Sequence, residues 1–227
     1  MNNINNINEN FTNINKNFTN LNNIIYDYNN INNDLINEGI NLLVICFGGC
    51  CSNSLVDILE KNGYKIRTKL FDKILCHSPE TFDTNIPIIY LYNNPIEAYL
   101  SQKRRKIELD INNKSLYQIN INKLSNNYNT IISDKNLLNF MIKQFYKWKD
   151  YLLNKKNNNI IFLHKTELFR NTIKKKLNKF LNKKLIGFPL IYKKPKTNYN
   201  LIDENDKILF IKYKNDIDYI NNFRKLY

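Results

Sequence analysis

Gly48 and Gly49 stand directly after an apolar run, Leu42 to Phe47, and directly before five small residues, Cys50-Cys51-Ser52-Asn53-Ser54. Residue types in that order can build an anion cradle. Glycines let backbone N–H groups turn inward, and a helix starting near Ser52 aims its positive end and orphan N–H groups at the ligand. Ser52, Asn53 and Ser54 can add side-chain donors or cap the helix. The nucleotide-hydrolase pattern G-x-x-x-x-G-K-[ST] is absent. Taken alone, the segment reads as an ordinary tight turn between strand and helix. A phosphate-type loop without its cation is the question this chain poses.

A second constellation is IPIIYLYNNPIEAYLSQKRR, residues 86 to 105. Its strand ends at Tyr92, Asn93-Asn94-Pro95 turns the chain, and a helix follows. Ser101 lies close to the face of Glu97 on that helix. The run Lys103, Arg104, Arg105, Lys106 reads as a solvated helix face. The third constellation is LCHSP, residues 75 to 79. A histidine at a strand end, His77, can act as a general base near neutral pH, although a lone His is more often packed or on the surface.

These residues need elements to hold them. Leu42–Phe47 is wholly apolar, which suits a strand buried on both faces. Further strands are expected at Ile74–Cys76, at Ile86–Tyr92, rich in β-branched and aromatic residues, and at Ile160–Leu163. Helices are expected at Ser52–Asn62, stopped by Gly63, and from Pro95 through Lys106, where proline suits the first turn. Others are expected at Asn136–Lys155, which carries the only tryptophan, Trp148, at Glu167–Leu181, and at Ile202–Leu226. Strands alternating with helices predict an α/β fold with a parallel β-sheet flanked by helices.

The order of motifs resembles that of the nucleotide-dependent sulfotransferases over roughly residues 40 to 183. A strand with a small-residue turn is followed by an isolated His near a proline, then a strand ending in Asn-Pro with a later Ser, then a strand ending in a polar-acidic motif. The resemblance implies a P-loop nucleotide hydrolase-like fold and 3′-phosphoadenosine 5′-phosphosulfate (PAPS) as the sulfuryl donor. It places the 5′-phosphosulfate loop on Phe47 through Leu55, hence Gly48, Gly49, Cys50, Cys51, Ser52, Asn53 and Ser54. The family's Lys or Arg is Gly49 here, and its later Gly is Cys51. The 3′-phosphate motif falls on Asn93-Asn94-Pro95 and Ser101, with Asn93 in place of arginine. His77 resembles the catalytic base. Leu163-His164-Lys165-Thr166-Glu167-Leu168 resembles the family's Arg-Tyr-Glu-Asp-Leu motif at its last acidic and Leu positions. The late cofactor loop has no clear counterpart beyond the basic stretch Lys193-Lys194-Pro195-Lys196. The implied partners are the nucleotide and a hydroxyl-bearing acceptor. Both expected cations are missing, so either a cation arrives from elsewhere in the fold or the loop no longer turns over. In the second case the chain is an inactive nucleotide- or partner-binding relative.

With 227 residues, 43% of them hydrophobic, the chain can bury one sizeable core. The formal charge of +14 attracts anions without choosing among them. Nucleic acid ranks last as a partner, because no reading motif and no segregated basic face is present. No apolar run of about eighteen residues predicts a membrane span. The Asn-rich start does not read as a signal peptide, and Cys46, Cys50, Cys51 and Cys76 fit no zinc spacing, so a cytoplasmic protein with reduced thiols is expected. Residues 1–37 differ from the domain expected at 38–227. Ile4, Ile7, Phe11, Ile14, Phe18, Leu21, Ile25, Tyr28 and Leu35 step by threes and fours up to Tyr28, the spacing of a self-associating seam over residues 4–35. The competing reading is a disordered Asn-rich tail.

Overall fold

A computed structural model describes residues 28–66, 81, 83–110, 134–155, 159–191, 200 and 202–223. Three strands, β1 (Leu43–Cys46), β2 (Ile88–Tyr92) and β3 (Ile160–His164), pair in the order β1-β2-β3. Both pairings are parallel, with Cys46 opposite Leu91 and Tyr92 opposite His164. Nearly every strand residue is buried, which explains the continuous apolar runs.

Residues two apart on a strand share a face, so Tyr90, Tyr92, Phe162 and His164 point the same way. There they meet Phe145 and Trp148 of α4 (Asp134–Lys155) and Phe223 of α7 (Lys214–Phe223). Tyr90 and Phe162 rings are 4.7 Å apart, and Tyr92 and Phe145 rings 5.4 Å apart. Such pairs add about 0.5–1.5 kcal/mol each beyond the area they bury. Ile161 points to the opposite face, toward Lys176 and Phe180 of α5 (Thr172–Leu181). Helix α2 (Ser52–Lys61) is tied to the segment after α5: Asn62 Nδ2 donates to the Ile186 carbonyl at 3.0 Å, and Ile186 N–H donates to Asn62 Oδ1 at 2.9 Å. The sheet therefore carries helices on both faces, and the chain is α/β.

Helix α1 (Tyr28–Asn37) sends Leu35 into the core, fully buried, and Asn32 accepts a hydrogen bond from Thr84 at 2.7 Å. The packed unit thus starts before residue 38, the boundary expected from composition. The rest of the proposed seam, residues 4–27, lies outside the described residues, as do His77, the strand expected at Ile74–Cys76, and Lys193–Lys196.

Three elements differ from expectation. Helix α3 (Pro95–Asp110) runs four residues past Lys106. The helix expected at Glu167–Leu181 is a 3-10 turn, Lys165–Phe169, followed by α5. A capping box at His164 and Glu167 starts the turn early, and Arg170 is extended, which breaks the axis. The helix expected at Ile202–Leu226 is split at Tyr213 into α6 (Glu204–Lys212) and α7. No helix among the described residues is long and apolar enough to cross a membrane.

Candidate functional site

In a parallel sheet the strand C-termini share one edge, and the crevice outside that edge is where such folds bind ligands. Here the edge carries the turn after β1, Asn93 after β2 and Lys165 after β3. Sites distant in sequence are thereby brought together.

The turn is built from left-handed backbone. Gly48 has φ 90°, Gly49 φ 65° and Cys51 φ 66°. Cys50 points inward: it is 1% exposed, and its Sγ donates to the Gly48 carbonyl at 2.9 Å. Burial pushes the Cys50 thiol well up, Cys46 adds to the rise, and the charge of Lys165 opposes it. Cys50 is therefore a packed thiol that holds the turn from inside. Contrary to expectation, Ser52, Asn53 and Ser54 do not cap α2. The N-cap is Cys51, and it makes no side-chain cap bond. Asn53 and Ser54 are exposed in the first turn.

Gly49 explains why the loop has no lysine of its own. A Cβ there would stand 2.8 Å from the Ala98 Cα and 3.0 Å from its carbonyl oxygen. The turn leans on the backbone of α3, and any side chain at position 49 meets that helix first.

After β2, Asn94 Oδ1 accepts from Ile96 N–H at 2.8 Å, so Asn94 caps α3 and Pro95 takes the first helical position. Asn93 is 1% exposed, and its Nδ2 donates to Glu97 Oε2 at 3.3 Å. Its amide is committed within the protein rather than presented outward. Ser101 is half-buried one turn beyond Glu97. Lys103 is not part of a solvated face: its Nζ pairs with Asp206 at 2.6 Å and Asp203 at 2.9 Å, which pins the start of α6.

After β3, His164 is buried and caps the 3-10 turn through Nδ1, which accepts from Thr166 N–H at 3.3 Å. Glu167 Oε1 accepts from His164 N–H at 2.9 Å, and its Oε2 pairs with Lys176 at 2.9 Å. The acidic and Leu positions of this motif therefore shape the turn: Glu167 closes it, and Leu168 fills the core.

Between them lies the residue that motif reading missed. The Lys165 side chain is only 12% exposed, and its Nζ stands 3.7 Å from Glu97 Oε2. Its positive charge opposes the rise that burial causes at Cys50 in the β1 turn. The signal for it was the register of β2 on β3, which no spacing along the chain reveals.

Among the described residues, no group of His, Cys, Asp or Glu is arranged to hold a metal ion. A shallow depression of about 340 Å³ at Ile161, Lys176, Lys179 and Phe180 lies along β3 rather than at the strand tips. No family model matches this chain, nor does any curated protein or solved structure.

Proposed function

We propose that this chain is a sulfotransferase-like protein of P-loop-like fold that binds the anionic end of a 3′-phosphoadenosine 5′-phosphosulfate-type nucleotide at the tip of β1. A hydroxyl compound is the proposed acceptor. The observation that carries the reading is the meeting of the Gly48–Ser54 turn, the uncapped start of α2 and the largely buried Lys165 at one sheet edge. Helix-start amides and a nearby cation are what a phosphosulfate requires. Gly48, Gly49 and Cys51 supply main chain there, and Ser52, Asn53 and Ser54 supply donors.

The nucleotide supplies an activated sulfuryl group. The chain's own work is positioning and charge stabilisation, with His77 proposed to take the acceptor's proton. If His77 is the base, His77→Ala abolishes transfer while nucleotide affinity stays near that of the wild type; a variant turning over at the normal rate removes His77 from the mechanism.

A second reading, binding without turnover, is favoured by Asn93. Where the family pattern has arginine for the 3′-phosphate, a buried amide here is bonded to Glu97. Ser101 is the remaining proposed contact for that phosphate. Thermal unfolding with 3′-phosphoadenosine 5′-phosphate tests both readings. Stabilisation that Ser101→Ala diminishes, together with sulfuryl transfer to a hydroxyl acceptor, supports the enzyme. Stabilisation without transfer supports the binding protein, and no shift at millimolar nucleotide overturns both.

A further inference from the structure

Lys165 and Glu97 form an unusual pair for a structural contact. Elsewhere in the fold, pairs that fasten elements are close: Lys103 meets Asp206 at 2.6 Å, and Lys176 meets Glu167 at 2.9 Å. Charge-assisted hydrogen bonds fall at about 2.7–2.9 Å. At 3.7 Å, Lys165 and Glu97 attract each other without a hydrogen bond between them. Their exposures also differ. Lys165 is held in place, 12% exposed, whereas Glu97 is 33% exposed and opens toward water. Glu97 has one further tie, the 3.3 Å bond from Asn93. A carboxylate beside an anion cradle opposes anion binding unless it can leave. This one sits at the first turn of α3, loosely bound on both sides.

We propose that Lys165 supplies the positive charge missing from the β1 turn, and that Glu97 is a resident stand-in for the ligand's phosphate or phosphosulfate group, displaced when that group binds. The assignment rests on the reading of the strand tips as an anion site and names the groups that set its affinity. Lys165 follows β3, across β2 from the turn, whereas a side chain at Gly49 itself would meet the Ala98 backbone. Displacement frees the Glu97 carboxylate to water and leaves the Asn93 amide free to donate to the incoming anion.

Inorganic pyrophosphate is the probe, titrated calorimetrically into the full chain. Glu97→Gln removes the competing charge at nearly constant shape and is expected to tighten binding about two- to fivefold. Lys165→Met removes the counter-charge and is expected to weaken binding about 10- to 100-fold. Lys165→Arg restores most of it, and the double variant Glu97→Gln/Lys165→Met behaves like Lys165→Met alone. Circular dichroism confirms that each variant is folded; if Lys165→Met is not, Glu97→Gln and Lys165→Arg still decide. Wild-type affinity in folded Lys165→Met overturns the proposal, as does a Glu97→Gln gain that persists in the double variant. So does the absence of pyrophosphate binding to both wild type and Glu97→Gln at millimolar concentration. Lys165-dependent pyrophosphate binding, with 3′-phosphoadenosine 5′-phosphate no tighter, leaves Lys165 assigned and removes the nucleotide. Tight nucleotide binding indifferent to Lys165→Met does the reverse.

Discussion

A Cβ on Gly49 would lie 2.8 Å from the Cα of Ala98, so the turn after β1 and the first turn of α3 meet backbone to backbone. Gly49 also has φ 65°, a conformation that costs an L-residue about 1–2 kcal/mol. Strain and clash together predict that Gly49→Ala loses about 2–4 kcal/mol in urea unfolding. Gly49→Lys, which would return the expected cation to the loop, is predicted to destabilise at least as much and to gain no anion affinity. A folded Gly49→Lys variant with tighter binding contradicts this contact.

Lys103 couples α3 to α6. Its Nζ joins Asp203 and the buried Asp206, and Tyr99 O–H donates to Asp206 at 2.6 Å. Lys103→Met leaves Asp206 buried without its cation and is expected to cost about 2–4 kcal/mol. Lys207, in an exposed pair with Glu204, serves as the control, and Lys207→Met is expected within about 0.5 kcal/mol of wild type.

The same cluster gives a pH signature. The Lys103 hydrogen bond holds the Asp203 carboxyl below its usual range. A folded-state value below the unfolded one contributes stability that is complete above about pH 4 and is lost as pH falls through the lowered value. Wild-type stability should therefore fall more steeply than that of Lys103→Met below about pH 4. Parallel acid limbs in urea unfolding would show that the pair does not contribute.

Tyr90 offers a test of opposite sign. Its ring is fully buried among Phe145, Trp148 and Phe162, yet its hydroxyl has no hydrogen-bond partner among the described residues. A buried hydroxyl left unsatisfied costs about 1–3 kcal/mol. Tyr90→Phe is expected to keep the fold and to raise or preserve the unfolding midpoint. A clear loss would mean that the hydroxyl is bonded in solution.

Much of the scaffold is legible in the residues themselves. Leu43–Cys46, Ile88–Tyr92 and Ile160–His164 announce themselves because strands covered on both faces need unbroken apolar runs. Asn94-Pro95 marks a helix start for local reasons, as cap and first residue. The breaks at Arg170 and Tyr213 carry no Gly or Pro, so two pairs of elements read as single helices. The site divides in the same way. The turn at Gly48–Ser54 is visible as a glycine pair with small neighbours. The cation opposite it is not, because Lys165 joins the edge through sheet register, and Glu97 meets it through packing of α3. Asn93 occupied a recognisable position, but only burial reveals that its amide is already engaged.

In the proposed function, main-chain amides at the tip of β1, with Lys165 beside them, hold the anionic end of a nucleotide. The most direct measurement is a backbone-amide NMR titration of the full chain with 3′-phosphoadenosine 5′-phosphate. Saturable shifts concentrated at Gly48–Ser54, Asn93 and Lys165 are expected. Unmoved resonances in that set at millimolar nucleotide, or shifts confined to another surface, would contradict it.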